Sequence, residues 1–321
     1  LNSVNTNVGA MIALQSLNKT NASLASVQKQ ISTGSRVADS TDDGAAYAVA
    51  QSVRSTIGGL TTANQQLGNV QGLLATTQSG LNDVSTTMAS MRDVLVSLSD
   101  ANVSGNERTQ YQAQYASLLA NVKTDIQDAS YSGKTLIGNI AGSSGSFSRV
   151  ATVRNESGAS YGLATFGGSA MYTAINIAFN NGAAGVTAVT GHAYTATNGA
   201  TAAIAYVKTV AYAATIANTA TGSNAAGIAA LLTASGSFIS QMNNLGGALN
   251  TVGSEVNYVN NQVTYNNNKV DALNTGLGSL VDADLAKESA QLQALQIRQQ
   301  LGTQALSLAN QAPQTLLSLF K

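Results

Sequence analysis

Cysteine is absent from the 321-residue chain, which excludes disulfides, thiolate zinc sites and a cysteine nucleophile. Histidine occurs once, at His192, so no multi-histidine metal centre is expected. Charge is scarce: 9% of residues are Asp, Glu, Lys or Arg, against about 25% in an ordinary soluble domain. The 15 basic and 15 acidic residues cancel to a formal net charge of zero. A nucleic-acid binder needs a basic face to neutralise phosphates, and a polybasic membrane-surface protein needs the same, so neither partner is expected. No run of 18 apolar residues is long enough to span a bilayer. Leu1 to Ala10 lacks a basic stretch followed by an apolar core, so no Sec-type signal peptide is expected. Proline occurs once, at Pro313. That scarcity permits long helices, because an interior proline removes a backbone hydrogen bond and clashes with the preceding turn.

What remains is 44% hydrophobic residues set among Ser, Thr, Asn, Gln, Gly and Ala. A chain with few charges and no net charge tends to self-associate. The first 135 residues and the last hundred carry helical periodicity, whereas roughly 138 to 222 is rich in Gly, Ser, Thr, Asn and Tyr. Between Val53 and Leu98, apolar residues recur at alternating steps of three and four, with Asn64 and Thr77 completing the series. This is a heptad-like seam of a long helix that packs lengthwise on others. A shorter helix is expected over about 107 to 129, with Tyr111, Tyr115, Leu118, Val122 and Ile126 on one side. Asp100 to Asn106 has the composition of a tight connection between the two. A third seam runs from Ile228 through Leu245, Val252 and Val259 to Leu280. Three complementary seams imply one antiparallel bundle built from both halves of the chain.

The ends differ, because each is apolar on more than one side. On the C-terminal helix Ala294, Ile297, Leu301, Ala305, Leu308 and Ala312 form one stripe, and Leu285, Leu292, Leu295, Leu306 and Ala309 form another. At the N-terminus Leu14, Leu17, Leu24 and Ile31 make one row, with Val4, Val8, Met11 and Val27 beside it. A helix apolar on two sides has to be buried on two sides. These residues are therefore the candidate subunit interface, and the ends are expected to order only within an assembly. Gly34 suits a left-handed cap on the first helix, and Ser40 to Asp43 offers N-cap side chains to the next. Thr275, Gly276 and Gly278 are expected to mark the matching junction on the return path.

Chemistry-bearing clusters are few. Asp282, Asp284 and Glu288 lack the further oxygen ligands and the glycine of a calcium loop, and fit an acidic helix start. His192 is followed by Ala193, so it lacks the H-E-x-x-H pattern of a zinc peptidase. No catalytic residue, cofactor or metal is expected.

Several segments resemble bacterial flagellins. Ser3-Val4-Asn5-Thr6-Asn7 is similar to the family's opening S-[IV]-N-T-N. Gln30 to Val37 resembles its R-L-S-S-G-x-R-I, with Gln30 in place of arginine. Asp42 to Ala46 resembles D-D-A-A-G, and Leu280 to Ser289 resembles V-x-D-A-D-x-A-x-E-S. Gln299 to Gly302, Ala309-Asn310-Gln311 and Leu317-Ser318-Leu319-Phe320 are similar to the family's last helix. The likeness covers about 1–140 and 228–321, and the closing Leu-Ser-Leu-Phe-Lys is most like flagellins of alphaproteobacteria.

The resemblance implies a mainly α fold: a long antiparallel helical bundle or coiled coil made from both termini, with a small β-containing, irregular central region. It implies inner-tube helices at 1–40 plus 278–321, a helical shell at 41–140 plus 225–277, and a surface-exposed region at 141–224. Phe320 then joins the interface residues. The implied function is a structural, non-enzymatic subunit of the extracellular flagellar filament, exported through the flagellar secretion apparatus. Its implied partners are identical or closely related flagellins, the filament cap, the hook-filament junction proteins and an export chaperone. A hook-filament junction protein and a surface carbohydrate-binding adhesin are the alternatives. Flagellins sensed by the vertebrate Toll-like receptor for flagellin carry an arginine and a glutamate where this chain has Ser90 and Gln114, although Arg92 is retained, so poor recognition is expected. The hydroxyl-rich central region, with short strands around Phe147 to Phe166 and a helix or strands over Thr201 to Thr219, is a candidate for O-glycosylation.

Overall fold

The computed structural model describes residues 6–138, 140–143, 145–177, 179 and 223–319. His192, Thr201 to Thr219, Val4 and Phe320 lie outside the described residues. The elements are α1 (Val8–Thr33), α2 (Gly44–Leu98), α3 (Gly105–Asp128), β1 (Lys134–Thr135), β2 (Ser146–Phe147), β3 (Ala151–Val153), β4 (Ser160–Gly162), α4 (Gly168–Ile175), α5 (Ser223–Leu231), α6 (Ser237–Val281) and α7 (Leu285–Leu319). The chain divides into two compact units, residues 1–58 with 268–321, and residues 59–267.

In the second unit α2 and α6 run antiparallel. Asn64 Nδ2 donates to Asn267 Oδ1 at 2.7 Å, and seven residues further along α2 Gln71 Nε2 donates to Asn260 Oδ1 at 2.7 Å. The expected seam is the core. Leu60, Leu67, Leu74, Leu81, Met88, Leu95 and Leu98 are fully enclosed, with Tyr115, Val122 and Ile126 of α3 and Val252 and Val259 of α6. Thr77 is buried within the seam because its hydroxyl donates to the Leu73 carbonyl, so the helix itself satisfies it. The expected connection is made by Ser99 to Ser104, and α3 starts at Gly105 on a capping box in which Ser104 and Glu107 bond each other's backbone.

The third seam is not one helix. It breaks at residues 232–236 into α5 and α6, because Gly236 packs under the end of α5, where an added Cβ would lie 2.2 Å from the Leu231 carbonyl oxygen. The central segment contains the expected short strands between Phe147 and Phe166, where β3 and β4 pair antiparallel with Thr152 opposite Tyr161. β1 precedes that region, was not expected, and pairs parallel with β2. The central segment also holds α4, which periodicity did not single out. Tyr115 anchors its end, donating to the Ile175 carbonyl at 2.6 Å.

Candidate assembly face on the terminal helices

The first unit is built on α1 and α7. Asn7 caps α1, its Oδ1 accepting from Ala10 N–H, and its Nδ2 donates to the Ala309 carbonyl at 2.7 Å. Gln299 Nε2 donates to Asn21 Oδ1 at 2.9 Å. Residue 7 beside 309 and residue 21 beside 299 make the pair antiparallel. The inward row of α1 is Ala10, Ala13, Leu17, Thr20, Leu24, Val27 and Ile31, and that of α7 is Leu292, Leu295, Gln299, Gly302, Leu306 and Ala309. Both rows step by three and four throughout, the spacing of an antiparallel coiled-coil seam.

α1 ends where expected, on Gly34 in the left-handed conformation (φ 69°). The chain then crosses the α6–α7 junction: Arg36 and Val37 N–H donate to the Val281 carbonyl, Ala283 N–H donates to that of Gly34, and the Arg36 guanidinium donates to that of Leu280 at 2.6 Å. Val37, Ala46, Ala50 and Val281 close into a small core. Lys29 reaches Asp39 at 2.6 Å and Asp42 at 2.9 Å, tying α1 to the loop before α2. These bonds raise the Lys29 pKa and hold both carboxyls below the usual range. Asp43 Oδ1 accepts from Ala46 N–H and starts α2, as the N-cap reading required. Gln30, at the position that departs from the family pattern, donates to the Arg36 carbonyl.

One expectation is corrected here. The junction on the return path is not at Thr275 to Gly278, since α6 continues to Val281. Interior glycine costs a helix only about 1 kcal/mol. The crossing backbone and Asp284, whose Oδ1 accepts from Ala286 and Lys287 N–H, set the break instead. This also settles the acidic trio: Asp284 caps α7, Glu288 lies in its first turn, and Asp282 is bridged to Ser35. Among the described residues no His, Cys, Asp or Glu cluster is suited to a metal ion. Within the chain α1 and α7 pair along the inward seam, whose Ala, Thr, Gln and Gly positions a search for bulky apolar residues overlooks.

The interface candidates divide by face. Val27 and Leu295 are buried in the seam, and Leu17, Leu24, Ile31, Leu292 and Leu306 are half-buried beside them. Leu14 belongs with the other group, since Ala13 takes its place in the seam. Val8, Met11 and Leu14 on α1 are exposed, as are Leu285, Ile297, Leu301 and Leu308 on α7, the last at 73%. Ile12, at 61% exposed, extends this set and was not singled out by the row pattern. Gly302 brings the helices close, with Leu17 Cδ1 at 3.2 Å from where its Cβ would stand. A shallow groove of about 330 Å³ opens beside it, bordered by Thr20, Arg298 and Leu301. Ser90, Arg92 and Gln114 are exposed on α2 and α3.

The described residues are mainly long helices, and the paired α1 and α7 leave an apolar face exposed. The family model for the bacterial flagellin N-terminal helical region matches residues 4–141, and that for the C-terminal helical region matches residues 232–320. A flagellin of Brucella melitensis is 30% identical over 99% of both chains. Flagellin FljM of Caulobacter vibrioides is 29% identical over 100% of this chain and 99% of its own, and flagellin C of Rhizobium meliloti is 29% identical over the whole of both. The chain belongs to the bacterial flagellin family. It is a structural subunit of the flagellar filament, an extracellular assembly, and not an enzyme. No helix among the described residues is long and apolar enough to cross a membrane.

Proposed function

We propose that the chain polymerises through the outward faces of α1 and α7, burying them against the same helices of neighbouring copies. The observation that carries this is the row Met11, Ile12, Ile297, Leu301 and Leu308, more than half exposed while the opposite faces of the same helices are already paired. Apolar surface of this extent, rimmed by polar residues, marks an association site. In this reading Val4 and Phe320 belong to the same subunit interface. Residues 1–40 with 278–321 form the inner tube, 41–140 with 225–277 the surrounding shell, and 141–224 the surface turned to the medium. Export through the flagellar secretion apparatus, an export chaperone, the filament cap and the hook-filament junction proteins complete its partners. The proposal includes weak engagement of the vertebrate flagellin receptor, because Ser90 and Gln114 lack the charges of an arginine and a glutamate.

Ile297→Asp and Leu308→Asp place a charge on the outward face and leave the inward seam untouched. Each is expected to abolish seeded filament growth, read by light scattering, with helical content unchanged. Growth at the natural rate by both variants would remove the outward face from the account.

A further inference from the structure

The β3–β4 hairpin lies on α6, and one buried carboxyl joins them. Glu255 sits on the inner side of α6, 6% exposed, in a segment otherwise seamed by Val252, Val256 and Val259. Its Oε1 accepts from the Ala164 N–H, two residues beyond β4, at 2.7 Å. Its Oε2 is buried without a hydrogen-bond partner. Around it the hairpin is held by neutral contacts. Tyr161 of β4 stacks on Tyr258 of α6 with ring centroids 4.2 Å apart, and Asn266 Nδ2 donates to the Arg154 carbonyl at 3.0 Å.

The titratable groups on these elements leave the carboxyl unneutralised. The Arg154 guanidinium is directed to the Tyr258 hydroxyl, and that of Arg149 lies against Gly162. Glu156 lies at the hairpin turn, packed beside Gly59. Burial raises the Tyr161 pKa, and repulsion from the Glu255 charge adds to it. α2 carries no titratable residue between Arg54 and Asp83. α3 brings Tyr111, Tyr115, Lys123, Asp125 and Asp128 to the bundle, and none of them acts on the Glu255 carboxyl, which is governed by its burial and the Ala164 N–H. A charge buried with one hydrogen bond and no counterion is costly, and the neutral acid far less so.

We propose that Glu255 is a proton-operated latch for the β3–β4 hairpin: as the neutral acid it keeps the hairpin seated on α6, and on ionising it releases it. The latch belongs to the single chain and is independent of how copies assemble. Burial pushes the Glu255 carboxyl up to about 7. A pKa raised above its open-state value favours the closed state at low pH. Its contribution is fully present below the ordinary carboxyl range, falls as pH rises towards about 7, and is gone above it.

Amide exchange of the full-length chain, corrected for intrinsic rates, tests this between pH 4 and 8.5. Protection of Ala164 and the β4 amides is expected to fall by up to about tenfold per pH unit between about 5 and 7, then to level off. Glu255→Gln keeps the acceptor for Ala164 and removes the titration, so its protection should be flat with pH. A flat profile in the natural chain, or the same slope in Glu255→Gln, overturns the latch. Carbon-13 titration of the Glu255 carboxyl in the natural chain decides independently of whether the variant folds. A midpoint near 7 supports the latch, and one in the ordinary glutamate range refutes it.

Discussion

Ser90 and Gln114 are single exposed side chains, and the weak receptor engagement proposed above rests on them. Ser90 spends its hydroxyl on the Thr86 carbonyl of its own helix, at 3.3 Å. A charge-assisted hydrogen bond contributes about 1.5–3 kcal/mol, so a receptor contact lacking one is weakened roughly tenfold or more. Receptor-reporter cells are therefore expected to respond at least about tenfold less to this chain than to a stimulatory flagellin. Introducing Ser90→Arg with Gln114→Glu should recover part of the response, and an equal response from the natural chain would contradict the assignment. Other residues show how far single positions are legible. Asn64 stands out in the sequence as a polar residue in an apolar seam, but its partner does not. In the structure Asn266, fully buried, donates to Asn64 Oδ1 at 2.8 Å and accepts from Gln262. A buried amide pair of this kind pins helix register. The C-terminal half is so rich in asparagine that spacing alone could not choose between Asn266 and its neighbours. Glu255 escaped for a related reason: it falls between Val252 and Val256, where a lone charged residue reads as solvated surface.

The paired ends illustrate the same point for whole elements. The stripes on α7 were visible as apolar rows: of one, Leu292, Leu295, Leu306 and Ala309 enter the seam while Leu285 is exposed, and of the other, Ala294, Ile297, Leu301, Ala305 and Leu308 face solvent. Which was which depended on Gly302, Gln299, Ala10, Ala13 and Thr20, residues that carry almost no hydrophobic signal. Only close approach gives them meaning. The seam is thin, with Val27 and Leu295 as its fully buried apolar residues, so α1 and α7 depend on fit. Gly302→Val sets a branched side chain against Leu17, and overpacking of this kind costs about 1–3 kcal/mol. Amide exchange across 10–31 and 292–309 should accelerate by roughly tenfold or more, with α2 and α6 between residues 59 and 267 unchanged. Unchanged protection in both terminal helices would mean that Gly302 does not set their spacing. The long helices of the second unit were more legible, because Leu, Val and Met at strict heptad steps fill a continuous core. The break between α5 and α6 was less so, since the Thr233 to Gly236 segment that holds the close-packed Gly236 falls within a single seven-residue step of the seam, from Leu232 to Ile239.

At the scale of the molecule, composition and architecture agree. A chain without cysteine, nearly without proline and with few charges builds helices of up to 55 residues. It meets its internal polar needs with amide pairs and helix caps. Charge scarcity also leaves neighbouring copies little repulsion to overcome, and the apolar outer faces of α1 and α7 supply a reason to associate. The central claim is that these terminal helices are the polymerisation elements. Electron microscopy of purified protein seeded with short filament fragments tests it most directly, comparing the full-length chain with one shortened to residues 36–284. The account predicts filaments from the full-length chain and a folded, helical monomer from the shortened one. Filaments of normal length from the shortened chain, or none from a full-length chain with both terminal helices intact, would contradict it.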